Sequence, residues 1–249
     1  MSTQHQPTLR VLSVLELIST NNQDYTLSDL SRSLDIPTST LSPILHTLRE
    51  ERYLALHEST RTYSLGTRLF EIGSRVQNSI TYKKISAILK NVTVACGETC
   101  HFAVLDGGDV FFLATVDSPQ PIRMHCATGR RIPAYGTAVG KALLRNRSLE
   151  ELKQLYPEGL RPLTAHTTTD FDQLYAKVNN NDVFLYESEE STESVCCIAV
   201  PIYQRGTVVA ASSVATPIFR YDEEKKAAIE HALRDARIEF EKIAHLFTF

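Results

Sequence analysis

Residues 26 to 50 constrain the fold more than any other stretch of the chain. Thr26 precedes a leucine stripe, Leu27, Leu30 and Leu34, at helical spacing. Asp35 follows where a backbone can turn left-handed, and Pro37 stops propagation. A second stripe, Leu41, Ile44, Leu45 and Leu48, starts after Thr38 or Ser39, either of which can cap a helix. Both helices are too short to be stable alone, so they must pack across one another as a helix-turn-helix. The outer side of the second then stays free. It carries Ser39, Ser42, His46 and Arg49, small donors and cations suited to a major groove, while Thr38, Ser39 and Thr40 sit where its N-terminus would meet phosphate.

The flanking sequence completes a winged module. Leu9, Leu12, Leu15 and Ile18 predict a first helix over Thr8–Thr20, capped by Thr8 and broken at Asn21–Asp24. Downstream, Tyr53 to His57 and Tyr63 to Leu65 alternate like a small hairpin around a polar tip that ends in Arg61 and Thr62. Arg61 is placed to reach a phosphate or the minor groove. Charge alone does not announce such a partner: the net charge is −3, and the first 80 residues hold seven arginines against eight acidic residues. A three-helix protein-interaction module is therefore the competing reading.

The stretch from Thr26 to Leu56, followed by the wing and Gly66-Thr67-Arg68-Leu69, resembles the DNA-binding domain of the IclR (isocitrate-lyase-regulator) family of bacterial transcription factors. Two positions depart from the family pattern. Asp35 stands where Gly is usual, and Pro43 stands where Arg is common, near the end of the first turn of the recognition helix, where a missing donor costs least.

Beyond residue 66, apolar residues from Leu69 to Val92 recur at spacings of three and four, predicting one linker helix over 67–91 that serves as dimer seam or spacer. Gly107-Gly108 lies between strands at 101–106 and 109–116, and Gln204-Arg205-Gly206 between strands at 195–203 and 207–215, two hairpin signals that imply an antiparallel sheet. Helices are expected around Thr137–Arg145, Leu149–Leu155 and Asp170–Val178, and a last one begins at Asp222 with the stripe Ile229, Leu233, Ala236, Phe240, Ile243 and Phe247. The fold class is thus α+β, with a winged helix-turn-helix at 1–66, a linker helix at 67–91 and a sheet-based domain at 92–249.

Several function classes drop out. No phosphate loop, dinucleotide fingerprint or metal-spaced histidine pair occurs, so no enzyme, cofactor or metal is expected. Every apolar run is broken within about ten residues, far below the twenty of a membrane span, and Met1 to Thr8 lacks the basic start of a secretory signal. Five cysteines, an odd and sparse set, read as reduced thiols and a cytoplasmic address. Cys196-Cys197 is the sharpest chemical feature; adjacent strand residues point to opposite faces, which leaves one as core and the other as pocket wall or redox-sensing thiol.

The resemblance extends through this half, carried by Gly129-Arg130-Arg131-Ile132-Pro133-Ala134-Tyr135-Gly136-Thr137-Ala138-Val139-Gly140-Lys141-Ala142-Leu143-Leu144, by Glu187 to Glu190 with Cys197 to Pro201, and by Ala210 to Ala215. It implies a small-ligand sensor domain of GAF-like type. The implied effector site comprises Ala138 and Val139 at a helix start, Glu187 after the preceding turn, Val195 and Cys197 on one hairpin strand, and Ser213 and Ala215 on its partner. It further implies a homodimer or homotetramer that binds a double-stranded DNA operator and a small organic acid or related metabolite. Ala215 stands where keto-acid-binding members carry a hydroxyl and Glu187 where they carry Asp, so a different ligand is expected. Two rivals stay open at this level: a redox sensor or enzyme built on the C-terminal domain, and a regulator that needs no ligand.

Overall fold

The computed structural model describes residues 4–20 and 23–247. Their contacts divide into two compact units that meet in sequence between Ser79 and Ile80.

In the first unit, α1 (Gln6–Thr20) begins two residues before the expected cap, and Thr8 lies inside it with Oγ1 2.9 Å from His5 Nδ1. Of the break expected at 21–24, residues 21 and 22 lie outside the described residues. A two-residue strand, β1 (Tyr25–Thr26), leads straight into α2 (Leu27–Leu34). Thr26 caps α2 reciprocally: its hydroxyl accepts the Asp29 N–H at 3.2 Å, and the Asp29 carboxylate accepts the Thr26 N–H at 3.1 Å. Asp35 closes the helix in the left-handed region, with φ 52°.

Helix α3 (Thr38–Glu50) corrects two expectations. Its N-cap is Pro37, and neither Thr38 nor Ser39 supplies a capping side chain. Pro43 is the sixth residue, in the second turn rather than the first, so the Ser39 carbonyl loses its helical donor. Ser39 is exposed, and water can take that donor's place. The wing follows as β2 (Leu54–His57) and β3 (Thr62–Leu65), with β1 added on the free side of β3. Val14, Leu30, Leu41 and Leu45 are fully buried at the centre of this unit. Gly66 ends the wing because a Cβ there would lie 2.2 Å from the Arg52 carbonyl oxygen.

The single linker helix expected over 67–91 is two helices, α4 (Thr67–Gln77) and α5 (Ile80–Cys96). Neither Pro nor Gly marks the break. Instead Ser79 N–H bonds the Val76 carbonyl at 3.1 Å, a tightened three-residue closure at an Asn-Ser pair of modest helix propensity. No residue of α4 is buried within the first unit, whereas α5 buries Ile85, Leu89, Val92 and Cys96 in the second.

The second unit is a six-stranded antiparallel sheet covered by helices on both faces. Its strands are β4 (Thr99–Asp106), β5 (Asp109–Val116), β6 (Arg131–Pro133), β7 (Leu185–Ser188), β8 (Val195–Gln204) and β9 (Thr207–Pro217). They lie in the order β6-β5-β4-β9-β8-β7. On one face α5 and α9 (Glu223–Ile243) pack on Phe102, Ile198, Val200 and Val214. On the other, α6 (Ala138–Leu143), α7 (Leu149–Leu155) and α8 (Phe171–Val178) cover Ala103, Phe112, Ala199 and Ala211. Among the described residues, no helix is long and apolar enough to cross a membrane.

Candidate nucleic-acid interface and candidate ligand pocket

Burial of Leu41, Leu45 and Leu48 fixes the rotation of α3, and Ser39, Ser42 and His46 emerge together on its exposed side with Thr38 at its start. Thr40 and Arg49 are half-buried at the margin of that ridge. Thr47, absent from the expected set, is also exposed there, and its hydroxyl donates to the Pro43 carbonyl at 2.9 Å. Arg61 lies at the wing tip in the left-handed region, with φ 58°. Its guanidinium meets Glu58 at 2.8 Å, and Arg49 meets Glu50 at 3.0 Å. Such exposed pairs are weak, so either arginine can exchange its carboxylate for a phosphate at little cost.

In the second unit, antiparallel register builds a wall from residues distant in sequence. One cross-strand row runs Glu187, Cys197, Ala215, Thr99, and the next runs Ala199, Ser213, His101, Thr115. Directly paired residues point to the same face, so these side chains turn together toward α6. Of the expected effector residues, Ala138, Val139, Val195, Cys197, Ser213 and Ala215 line one cavity of about 30 Å³, room for a water or two, so an organic ligand enters only if these walls move apart. Glu187 does not. It lies one strand further along the row, behind Cys197, where it accepts the Glu190 N–H at 2.9 Å and the Ser191 hydroxyl at 3.3 Å. It thereby holds the loop that brings Ser191 and Thr192 to the cavity.

Residues that sequence reasoning missed complete the lining: His101 and Phe112 from the sheet, Met124 and Cys126 from the irregular segment after β5, Ile132 from β6, and Thr137. The ring of His101 stands edge-on to Phe112 with centroids 5.2 Å apart. Its Nε2 is buried and has no hydrogen-bond partner among the described residues, and burial pushes its pKa down to about 4. The helix start is less open than expected, because the Thr137 hydroxyl already accepts the Gly140 N–H at 2.9 Å. Gly140 admits this approach: a Cβ there would lie 2.1 Å from the Ala134 carbonyl oxygen.

Behind the pocket, Lys141 of α6 is buried against Glu190 at 2.6 Å, and Lys177 reaches the same carboxylate oxygen at 3.0 Å. Thr168 donates to its other oxygen at 3.0 Å. Burial pushes the Cys197 thiol well up, and the neighbouring Glu187 carboxyl reinforces the shift. A thiol held protonated in this way is a poor nucleophile, which suits a pocket wall. No group of three or more His, Cys, Asp or Glu side chains able to hold a metal occurs among the described residues.

Comparison with known proteins gives the same division of labour. The IclR helix-turn-helix domain matches residues 8–57, and the C-terminal domain of bacterial IclR transcriptional regulators matches residues 74–239. The HTH-type transcriptional regulator KdgR of Escherichia coli (strain K12) is 30% identical over 223 residues, which cover 87% of this chain and 84% of the relative. Among solved structures, an IclR transcriptional regulator from Alicyclobacillus acidocaldarius superposes with a TM-score of 0.86 at 22% identity, over 96% of this chain and 99% of that one. An IclR homologue from Microbacterium hydrocarbonoxydans, complexed with 4-hydroxybenzoate, superposes with a TM-score of 0.80 at 23% identity, over 97% of this chain and all of that one.

Proposed function

Since this chain belongs to the IclR family of bacterial transcriptional regulators, we propose that it reads its operator with the α3 ridge and the wing, and binds a small organic acid in the sheet-side pocket. It is a DNA-binding regulator with a C-terminal effector domain. On our reading Ser39, Ser42 and His46 contact base edges, Thr38 and Thr40 contact phosphate at the start of α3, and Arg49 and Arg61 contribute charge. The observation that carries this assignment is the exposure of one polar ridge on the helix whose opposite face is the core of its unit.

The regulator works in the cytoplasm as a homodimer or homotetramer on a pseudo-palindrome, and represses until its effector shifts the population toward a geometry that no longer fits the half-sites. The winged module occupies 1–66, α4 is the connector, and the effector domain begins with α5. Phe70, Val76 and Ile80 are exposed on α4 and at the start of α5, which favours a second copy as their cover. The pocket binds rather than catalyses: its walls are mostly apolar, and its thiols are held protonated.

Fluorescence anisotropy on the chain's own promoter DNA tests this directly. Specific binding at physiological salt, weakened by a carboxylic acid that also raises the thermal midpoint, is the expected result. Equal affinity for promoter and scrambled DNA would remove the specific-regulator reading. The first acids to screen are 4-hydroxybenzoate, because a protein of the same fold holds it, and other small aromatic carboxylates.

A further inference from the structure

Among the described residues, His101 is the one side chain of the pocket wall with a buried and unpartnered ring nitrogen. It exposes 3% of its surface, and its Nε2 has no hydrogen-bond partner among the described residues. Its cross-strand neighbour Thr115 also carries a buried, unpartnered hydroxyl, in the same row. A folded protein rarely leaves such a group without a partner, and of the two only His101 lines the cavity, so its ring calls for a polar group from that side. No Lys, Arg, Asp or Glu lines that cavity among the described residues. An organic anion drawn into it finds no cation in the lining, since Arg130, which bonds the Cys126 thiol, is exposed and not part of the wall, and burying a carboxylate without a counter-charge is strongly unfavourable.

We infer that His101 supplies that counter-charge, so that an organic acid binds together with one proton taken from solvent onto the imidazole. This rests on the assignment of the cavity as the effector site. The proton is bound, not consumed: the carboxylate enters as the anion, the neutral ring gains a proton, and the pair formed is net neutral in the pocket. Burial, aided by His125 and opposed by Asp117, holds the free ring neutral, with a pKa of about 4, and a carboxylate at hydrogen-bond distance drives it up.

The other charged and titratable groups around His101 do not take this role. Asp117 beyond β5 is engaged with Arg123 at 3.9 Å and His125 at 3.5 Å. Cys126 on the following segment and Cys197 on β8 have thiols that burial keeps protonated, and β9 contributes only the Ser213 hydroxyl. On α6, Lys141 is tied to Glu190. Glu187, behind Cys197, is the one competitor, because burial raises its pKa and an incoming anion would raise it further.

Calorimetric titration of the full chain in phosphate and in Tris at pH 7.5, with benzoate, 4-hydroxybenzoate and gluconate, separates these possibilities. The difference in apparent heat between buffers of unlike ionisation enthalpy counts the protons taken up. We expect close to one proton per bound carboxylate in the wild type and in Glu187→Gln, and close to none in His101→Gln. A measurement that needs no variant gives the same answer: affinity should fall about tenfold per pH unit between pH 6 and 8, since only the complex carries the extra proton. Binding without proton uptake, or uptake lost in Glu187→Gln and kept in His101→Gln, overturns the inference. If none of the three acids binds, the organic-acid reading of the pocket falls and takes this inference with it. Binding with the wrong proton count would remove only the role of His101.

Discussion

Lys141 and Glu190 face each other at 2.6 Å with 1% and 8% of their side chains exposed, which joins the pocket helix α6 to the loop that carries Ser191 and Thr192. Two charges withdrawn from water attract strongly, and they also depend on one another: either one left alone is a buried, uncompensated ion. The pair therefore ties two walls of one cavity together.

Glu190→Gln should strand Lys141, while Lys177 keeps its contact with water. Loss of one partner of a buried pair costs about 3–5 kcal/mol. At roughly 2–4 °C per kcal/mol for a domain of this size, the thermal midpoint of the C-terminal unit should drop by about 6–20 °C. Circular dichroism melts of the full chain check this, and an unchanged midpoint would show that the pair contributes nothing to stability.

Acid should act through the same residue. Although burial opposes it, the ammonium groups of Lys141 and Lys177 hold the Glu190 carboxyl below its usual range. A depressed folded pKa contributes stability above the unfolded value of 4.5, and that stability is lost as pH falls through the folded value. The wild type should lose midpoint below about pH 4.5 more steeply than Glu190→Gln, so the two titration curves converge in acid.

Gly140→Ala places a methyl group 2.1 Å from the Ala134 carbonyl oxygen. Both are backbone-anchored, so α6 must shift away from the turn at 134–136. Overpacking of this kind costs roughly 1–3 kcal/mol or more. A lowered midpoint together with lost effector response is expected; a wild-type response would show that α6 can move without harm to the site.

Thr26→Ala removes the reciprocal cap of α2, in which both partners are part-buried. The expected cost is about 1 kcal/mol in the DNA-binding unit, with DNA affinity reduced in parallel. Hydrogen exchange at the Asp29 amide reports the cap locally, and unaltered protection there would contradict its role.

Arg61→Ala should weaken DNA binding about equally on all sequences and reduce the slope of log affinity against log salt by about 0.9, the contribution of one phosphate contact. His46→Ala should instead reduce the preference for the operator over scrambled DNA. Anisotropy over a potassium chloride series distinguishes the two, and an unchanged slope in Arg61→Ala would take the wing tip away from the phosphates.

The chain's local elements were legible in its sequence because they are set by neighbours a few residues apart. The stripe of Leu41, Leu45 and Leu48 rotates α3, Thr26 caps α2, Asp35 turns the chain, and Gly107 reverses the first hairpin with φ 62°. The resemblance to a known family added six of the cavity residues. Tertiary structure alone decided the rest. His101 meets Ser213 through strand register across more than a hundred residues, and a one-residue slip would have turned it to the opposite face. Lys141 and Glu190 look like solvated charges until folding brings them together away from water, with Lys177 reaching in from the surface. Glu187 was legible as a pocket residue and became a support behind the wall, because β7 adds at the sheet edge, one strand beyond the cavity. Periodicity records which side of an element is apolar. It holds no record of which distant polar group that side will meet, and here that meeting determines the chemistry of the site.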